Sequence, residues 1–89
     1  MCGIIGIFHH EQAKQQVETA LAILKNRGKD ASKILELKEG VIGHTLHAVV
    51  NHVPQPLQEG GILTANCEIY NWKELSQKYN LNAQNDAEL

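Results

Sequence analysis

The first two residues supply a candidate nucleophile. Met1 precedes Cys2, and once an aminopeptidase removes Met1, Cys2 carries a free α-amino group beside its own thiol. The thiolate is the reactive form of cysteine, and an α-amine with a pKa of roughly 7.7–8.0 can accept the thiol proton near neutral pH. While Met1 remains attached, this nitrogen is an amide and not a base. The pair therefore predicts nucleophilic chemistry, the alternative being a cysteine that only begins a buried strand.

Two predicted elements hold this terminus in place. Residues 2–8 are apolar on both faces, which is typical of a strand covered on both sides in a layered α/β architecture. A helix is predicted from Glu11 to Arg27, and Gly28 is placed to end it in a left-handed conformation. The apolar side chains of this helix form one stripe, which we expect to cover the sheet: Ala13, Val17, Ala20, Leu21 and Leu24.

The rest of the chain predicts further strands and a second helix. Ser32 to Val50 indicates two strands joined at Glu39-Gly40, and the second strand is expected to be central because it is apolar on both faces. A loop is predicted from Asn51 to Gly61, followed by a short buried strand over residues 62–65.

The last twenty residues predict one complete helix and the beginning of another. Asn71 and Glu74 have the spacing of a capping box, and Asn80 is placed to end the helix. Asn85-Asp86 is a second helix start signal, too near Leu89 for a stable helix to follow. We therefore expect residues 1–89 to be the front part of a larger domain.

Composition excludes several classes of function. The chain has 89 residues, 43% of them hydrophobic, and a formal net charge of −2, which fits one globular domain at most. Without a basic stripe, nucleic acid is not an expected partner. There is neither an apolar run of membrane-spanning length nor a signal peptide, so no membrane association and a cytoplasmic location are expected, with free thiols at both cysteines.

Six short blocks, in this order, carry a family resemblance: Met1-Cys2-Gly3-Ile4, Arg27-Gly28-Lys29-Asp30, Gly43-His44, Gln55-Pro56-Leu57, Asn66-Cys67-Glu68-Ile69-Tyr70-Asn71 and Asn85-Asp86-Ala87-Glu88. Together they resemble the glutaminase domain of class II glutamine amidotransferases. Within that group, the block from Glu68 to Asn71 is similar to asparagine synthetases. The resemblance implies an α+β fold, the four-layer αββα N-terminal-nucleophile hydrolase fold with antiparallel sheets. Residues 1–89 would be its N-terminal portion, without the remainder of the domain or any synthetase domain.

The resemblance also implies a reaction and its residues. Cys2 would attack the side-chain amide of glutamine, and ammonia would pass to a synthetase domain or subunit. The Asn66 side-chain amide and the backbone N–H of Cys67 would stabilise the oxyanion. Asp86 would bind the substrate α-ammonium, with Glu68 in the same site. No cofactor is implied for these residues, and the Gly-rich loop that binds pyrophosphate is absent from the sequence.

Each of these residues also has a purely structural interpretation. Asn66 would end a strand, Glu68 would be a solvated surface charge, and Asp86 would be a helix N-cap. A metal site is not expected, because His44 and His47 are three residues apart on a predicted strand and point to opposite faces.

Three departures from the family pattern bear on activity. Cys67 stands where the family has glycine, which suggests as a hypothesis an inactivating disulfide with Cys2. Leu46 stands where the family has the arginine that binds the substrate α-carboxylate, and Lys29 replaces a proline. The alternative function is therefore a non-catalytic binding or regulatory domain that keeps the glutaminase scaffold. In either case, half of a layered domain would expose apolar sheet, so a homo-oligomer is expected.

Overall fold

The computed structural model describes residues 1–89 as an α+β fold with two antiparallel sheets. This agrees with the predicted α+β class and with the prediction of antiparallel strands. The elements in chain order are β1 (Gly3–Phe8), α1 (Ala13–Leu24), a 3₁₀ turn (Lys25–Arg27), β2 (Ala31–Glu36), β3 (Gly40–Leu46), β4 (Leu57–Gln58), β5 (Ile62–Leu63) and α2 (Trp72–Lys78).

Strand β3 is the centre of the larger sheet, whose order is β1-β3-β2. It pairs antiparallel with both neighbours, with Gly3 opposite Thr45 on one side and Ser32 opposite Thr45 on the other. All seven residues of β3 are buried. The prediction of a central strand is confirmed, although β3 ends at Leu46 and not at Val50. That ending places His47 beside Cys2, the residue before β1.

Helix α1 covers one face of this sheet. Its residues Ala13, Val17 and Leu21 recur every fourth position, so they form a single stripe, and all three are buried. They pack around Val41 of β3, and the partly buried residues Ile5, Ile7 and Ile34 complete the cluster. The core therefore lies between α1 and the sheet.

The opposite face of the sheet is only partly covered, which corrects the prediction that β1 is buried on both sides. Ile4 is 48% exposed and Phe8 is 51% exposed. No helix packs on this side. The segment before β4 contacts the β2 side of this face, where the Lys33 ammonium donates a hydrogen bond to the Pro56 carbonyl at 3.1 Å.

Gly28 does not adopt the predicted left-handed conformation. Its φ is −155°, which is extended backbone, and α1 ends earlier, at Leu24, in a 3₁₀ turn. A β-carbon at position 28 would lie 2.5 Å from the backbone oxygen of Thr45. A glycine is required here because the chain passes closely over β3, not because it terminates a helix.

Two local predictions in the second half of the chain are also wrong. Asn71 is the N-cap residue of α2, as predicted, but its side chain accepts no capping hydrogen bond, so the capping box with Glu74 does not form. Strand β5 is exposed and not buried, because it pairs only with β4. Strand β4 itself lies within the segment predicted to be a loop. None of the helices combines the length and apolar character needed to cross a bilayer.

Candidate functional site

Cys2 lies immediately before β1, beside the residue that follows β3. The backbone N–H of His47 donates a hydrogen bond to Cys2 Sγ at 3.4 Å, and the Cys2 thiol lies 3.9 Å from the His47 carbonyl, which it can donate to. The Cys2 carbonyl accepts a hydrogen bond from Arg27 Nε at 3.1 Å. The candidate nucleophile is therefore held through both its sulfur and its backbone, as a near-attack geometry requires.

The residue after Cys2 fixes the start of β1 against the core. The buried N–H of Gly3 donates to Thr45 Oγ1 at 3.0 Å, and that hydroxyl in turn donates to the Leu24 carbonyl at 3.4 Å. A β-carbon at Gly3 would lie 2.6 Å from Thr45 Oγ1. Glycine at position 3 thus permits β1, β3 and the end of α1 to meet, which prevents the terminus from fraying.

Asp30 holds the turn that carries His47. Its N–H donates to the Leu46 carbonyl at 3.0 Å, and its carboxylate accepts the N–H of Ala48 at 2.7 Å. The same carboxylate lies 3.9 Å from His47 Nδ1. Because Asp30 binds the backbone on both sides of His47, it sets where the His47 N–H meets the Cys2 sulfur.

A cavity of about 520 Å³ opens in front of Cys2. All five residues predicted for the site line it: Cys2, Asn66, Cys67, Glu68 and Asp86. They come from the start of β1, from the segment after β5 and from the last turn of the chain. The structure therefore brings the predicted site residues together, while their roles in catalysis stay predictions.

The segment that follows β5 lines this cavity and contains hydrogen-bond donors that have no partner within the protein. Neither the Asn66 side-chain amide nor the backbone N–H of Cys67 donates to an acceptor within the protein. Both residues are exposed at the cavity. Free amide donors of this kind are what an oxyanion requires.

Asp86 is held by the same segment. Its carboxylate accepts the backbone N–H of Ile69 at 2.9 Å. The capping contact of the last turn is made by the buried Asn85, whose side-chain oxygen accepts the N–H of Glu88 at 3.1 Å. No helix follows Asn85, so this contact closes a turn, and the turn uses Asn85 rather than the Asp86 carboxylate, which lines the cavity.

Glu68 lies at the exposed edge of the cavity. Its carboxylate accepts a hydrogen bond from the Tyr70 hydroxyl at 3.0 Å. This bond and the carboxylate charge raise the pKa of the Tyr70 hydroxyl. Tyr70 is 91% exposed, so the pair is a solvated contact that orients Glu68 and does not close the cavity.

The two cysteines are free and line the same cavity. Desolvation, with the nearby charges of Asp86 and Cys2, raises the pKa of the Cys67 thiol. Cys67 therefore stays protonated near neutral pH, and a thiol is a much poorer nucleophile than a thiolate. The disulfide between Cys2 and Cys67 stays a hypothesis.

Basic side chains are scarce around the cavity. Of its lining residues, only His47 has a basic side chain, whereas Glu68 and Asp86 are both acidic. Leu46, at the position where the resemblance implies an arginine, is 4% exposed. The cavity is thus better suited to an ammonium group than to a carboxylate.

Three residues near Cys2 have roles that the sequence did not reveal. Arg27, Asp30 and His47 are not among the predicted site residues, yet they form hydrogen bonds to Cys2 or to the turn beside it. Arg27 and Asp30 fall in one of the blocks that carry the resemblance, and this was the available signal. Because residues 27–28 also fit a helix end, the sequence alone does not indicate a role for Arg27 at the site.

Burial of His44 predicts a pH-dependent stability. His44 is 1% exposed, and this burial lowers its pKa below the usual value of about 6.5, opposed by its hydrogen bond to the Ala65 carbonyl. Below about pH 6.5, His44 therefore binds a proton more readily in the unfolded chain than in the folded chain. The free energy of unfolding should fall as the pH is lowered through this range, as urea unfolding between about pH 7.5 and 5.5 will measure.

The control for this prediction is an exposed histidine. His44→Gln should flatten the pH dependence because it removes the titrating group. His52→Gln should keep it, because His52 is exposed. Equal pH slopes for wild type and His44→Gln would show that another group is responsible.

Comparison with known proteins supplies the family. No similar protein was found among the curated proteins or the solved structures. A family model described as a glutamine amidotransferase domain matches residues 1–89, which is the entire sequence and includes every residue of the cavity. The chain therefore belongs to the glutamine amidotransferase domain family.

Proposed function

We propose that this chain is the glutaminase part of a class II, asparagine synthetase-like glutamine amidotransferase. After removal of Met1, Cys2 would hydrolyse the side-chain amide of glutamine, and the ammonia would pass to a synthetase domain or subunit. The observation that carries this proposal is the shared cavity, in which Cys2 faces the same space as Asn66 and Cys67. Family membership supports glutamine as the nitrogen donor.

The proposed reaction has two stages. The α-amine of Cys2 takes the thiol proton, directly or through a water, and the sulfur forms a bond to the amide carbon of glutamine. The tetrahedral oxyanion accepts hydrogen bonds from the Asn66 amide and the Cys67 N–H. The C–N bond then breaks, the amine returns its proton to the leaving ammonia, and water hydrolyses the thioester to glutamate and free Cys2.

Substrate binding is assigned to the acidic side of the cavity. The Asp86 carboxylate, held by the Ile69 N–H, would pair with the α-ammonium of glutamine, and Glu68 would add negative charge at the entrance. Such a pair is needed because an ammonium that leaves water without a partner is strongly destabilised. For the α-carboxylate, the candidate donor is His47, the one residue lining the cavity that has a basic side chain.

The proposed fold is the front part of a four-layer N-terminal-nucleophile hydrolase domain. Helix α1 and the β1-β3-β2 sheet would form one helix layer and one sheet layer. The half-exposed Ile4 and Phe8, on the face away from α1, support a second sheet packing there. On this reading, residues 1–89 are the N-terminal portion of the glutaminase domain.

Removal of Met1 provides the first test. Met1 is 67% exposed at the cavity, so an aminopeptidase can reach it. The processed chain should release glutamate and ammonia from glutamine and gain one adduct from an electrophilic glutamine analogue, located at Cys2 by peptide mass spectrometry. A form with extra residues before Met1 should do neither, since its Cys2 nitrogen is an amide. Equal hydrolysis by both forms would contradict an α-amine base.

A non-catalytic binding domain is the second candidate. The observation that favours it is the cavity wall, which has no arginine or lysine and has Leu46 at the position where an arginine is expected. Calorimetry with glutamine separates the candidates. Binding without glutamate formation, in a chain shown by mass to lack Met1, favours the binding domain.

A further inference from the structure

Both backbone polar groups of Ala65 are bound by buried side chains. The Ala65 N–H donates to Gln55 Oε1 at 2.6 Å, and the Ala65 carbonyl lies 3.2 Å from His44 Nε2. His44 is 1% exposed and Gln55 is 3% exposed. Because a carbonyl can only accept, Nε2 of His44 carries the hydrogen of this bond.

The two side chains come from well-anchored positions. His44 lies in the middle of β3, opposite Ile4 on β1 and Lys33 on β2. Gln55 precedes Pro56, which is fully buried and whose carbonyl is bound by Lys33. Both groups that hold Ala65 are thus tied to the three-stranded sheet.

This contact is the main constraint on the segment that follows β5. From residue 64 to residue 68, Ala65 is the one residue whose backbone forms hydrogen bonds within the protein. The next backbone contact is at Ile69, which donates to Asp86. The positions of Asn66 and Cys67 therefore depend on how Ala65 is held.

We propose that His44 and Gln55 are positioning residues that hold Ala65 and thereby aim the Asn66 amide and the Cys67 N–H at the developing oxyanion, a role that rests on the proposed glutaminase function. They act through Ala65 and not by direct contact with the reacting atoms. Small displacements of such donors are costly, because about 1 Å of misplacement can lower a rate by about a hundredfold.

Matched substitutions at His44 test this role. His44→Leu removes the donor and should lower kcat for glutamine by between about ten- and a hundredfold, with KM changed less than about twofold. His44→Gln can place an amide N–H near the position of Nε2 and should recover most of kcat. A general loss of folding would change KM as well as kcat, and would do so in both variants. A fall in kcat alone, confined to His44→Leu, therefore indicates a positioning role.

Amide hydrogen exchange gives a second readout that needs no activity. The Ala65 N–H should be protected in the wild type, as measured by NMR, and should lose protection in Gln55→Leu, which also serves if His44→Leu does not fold. An unprotected Ala65 in the wild type, or wild-type kcat in His44→Leu, overturns the positioning role. If the Ala65 N–H is protected but the wild type hydrolyses no glutamine, the contacts of His44 and Gln55 with Ala65 are supported and only the glutaminase function is refuted.

Discussion

Substitution of Cys2 with alanine should abolish glutamine hydrolysis, with a loss of about 10⁴-fold or more in kcat. The sulfur is the only protein group in the proposed reaction that forms a bond to the substrate, so no other side chain replaces it. Covalent labelling by an electrophilic glutamine analogue should disappear in the same variant. The second thiol in the cavity, Cys67, should not take over the adduct, because its raised pKa keeps it protonated.

The matched control lies on the exposed side of α1. Ile23 is 75% exposed and outside the cavity, so Ile23→Ala should retain both hydrolysis and labelling. Circular dichroism should show both variants folded, since the Cys2 side chain is only partly buried. An adduct of unchanged yield in Cys2→Ala would place the nucleophile elsewhere.

The first half of the fold could be predicted because its signals are periodic and local. The stripe through Val17 and Leu21 identified the covering helix, and the apolar run from Val41 identified the central strand. The helix stripe arises from burial against one face of the sheet, and the apolar run arises from burial of the central strand on both faces. Both patterns can therefore be recognised without knowing the contacts of the remaining residues.

The predictions that failed depended on contacts with distant residues. Gly28 has the sequence context of a helix terminator, but its backbone passes against Thr45, a contact that no local pattern shows. Asn71 has the spacing of a capping box, yet its side chain makes no cap. An apolar strand such as β1 indicates burial on two faces, while the structure leaves Ile4 and Phe8, on the face away from α1, about half exposed.

The candidate site shows the same division. The family resemblance predicts Cys2, Asn66 and Asp86 as site residues, and all three line one cavity, while their roles in catalysis stay predictions. The sequence does not predict the residues whose hydrogen bonds involve backbone groups near Cys2. Arg27 donates to a carbonyl and Asp30 accepts from an amide, and His47 meets the Cys2 sulfur with its N–H, which every residue except proline possesses. Such contacts follow from register and turn geometry, which residue types alone do not determine.

Asn66→Ala should lower kcat for glutamine by about 10²–10³-fold, with little change in KM. The Asn66 amide has no acceptor within the protein, so its hydrogen bond would form only as charge develops on the substrate oxygen. An interaction made mainly in the transition state affects kcat and kcat/KM equally. Steady-state kinetics of glutamate formation will measure both constants.

Asn82→Ala is the matched control, because Asn82 is also an exposed asparagine but lies outside the cavity. Both substitutions should change the free energy of unfolding by no more than about 0.5 kcal/mol, so stability cannot account for a difference in rate. If Asn66 merely ended a strand, the two variants would have the same kcat. A selective loss in Asn66→Ala, with electrophile labelling of Cys2 retained, would separate oxyanion stabilisation from attack by the sulfur.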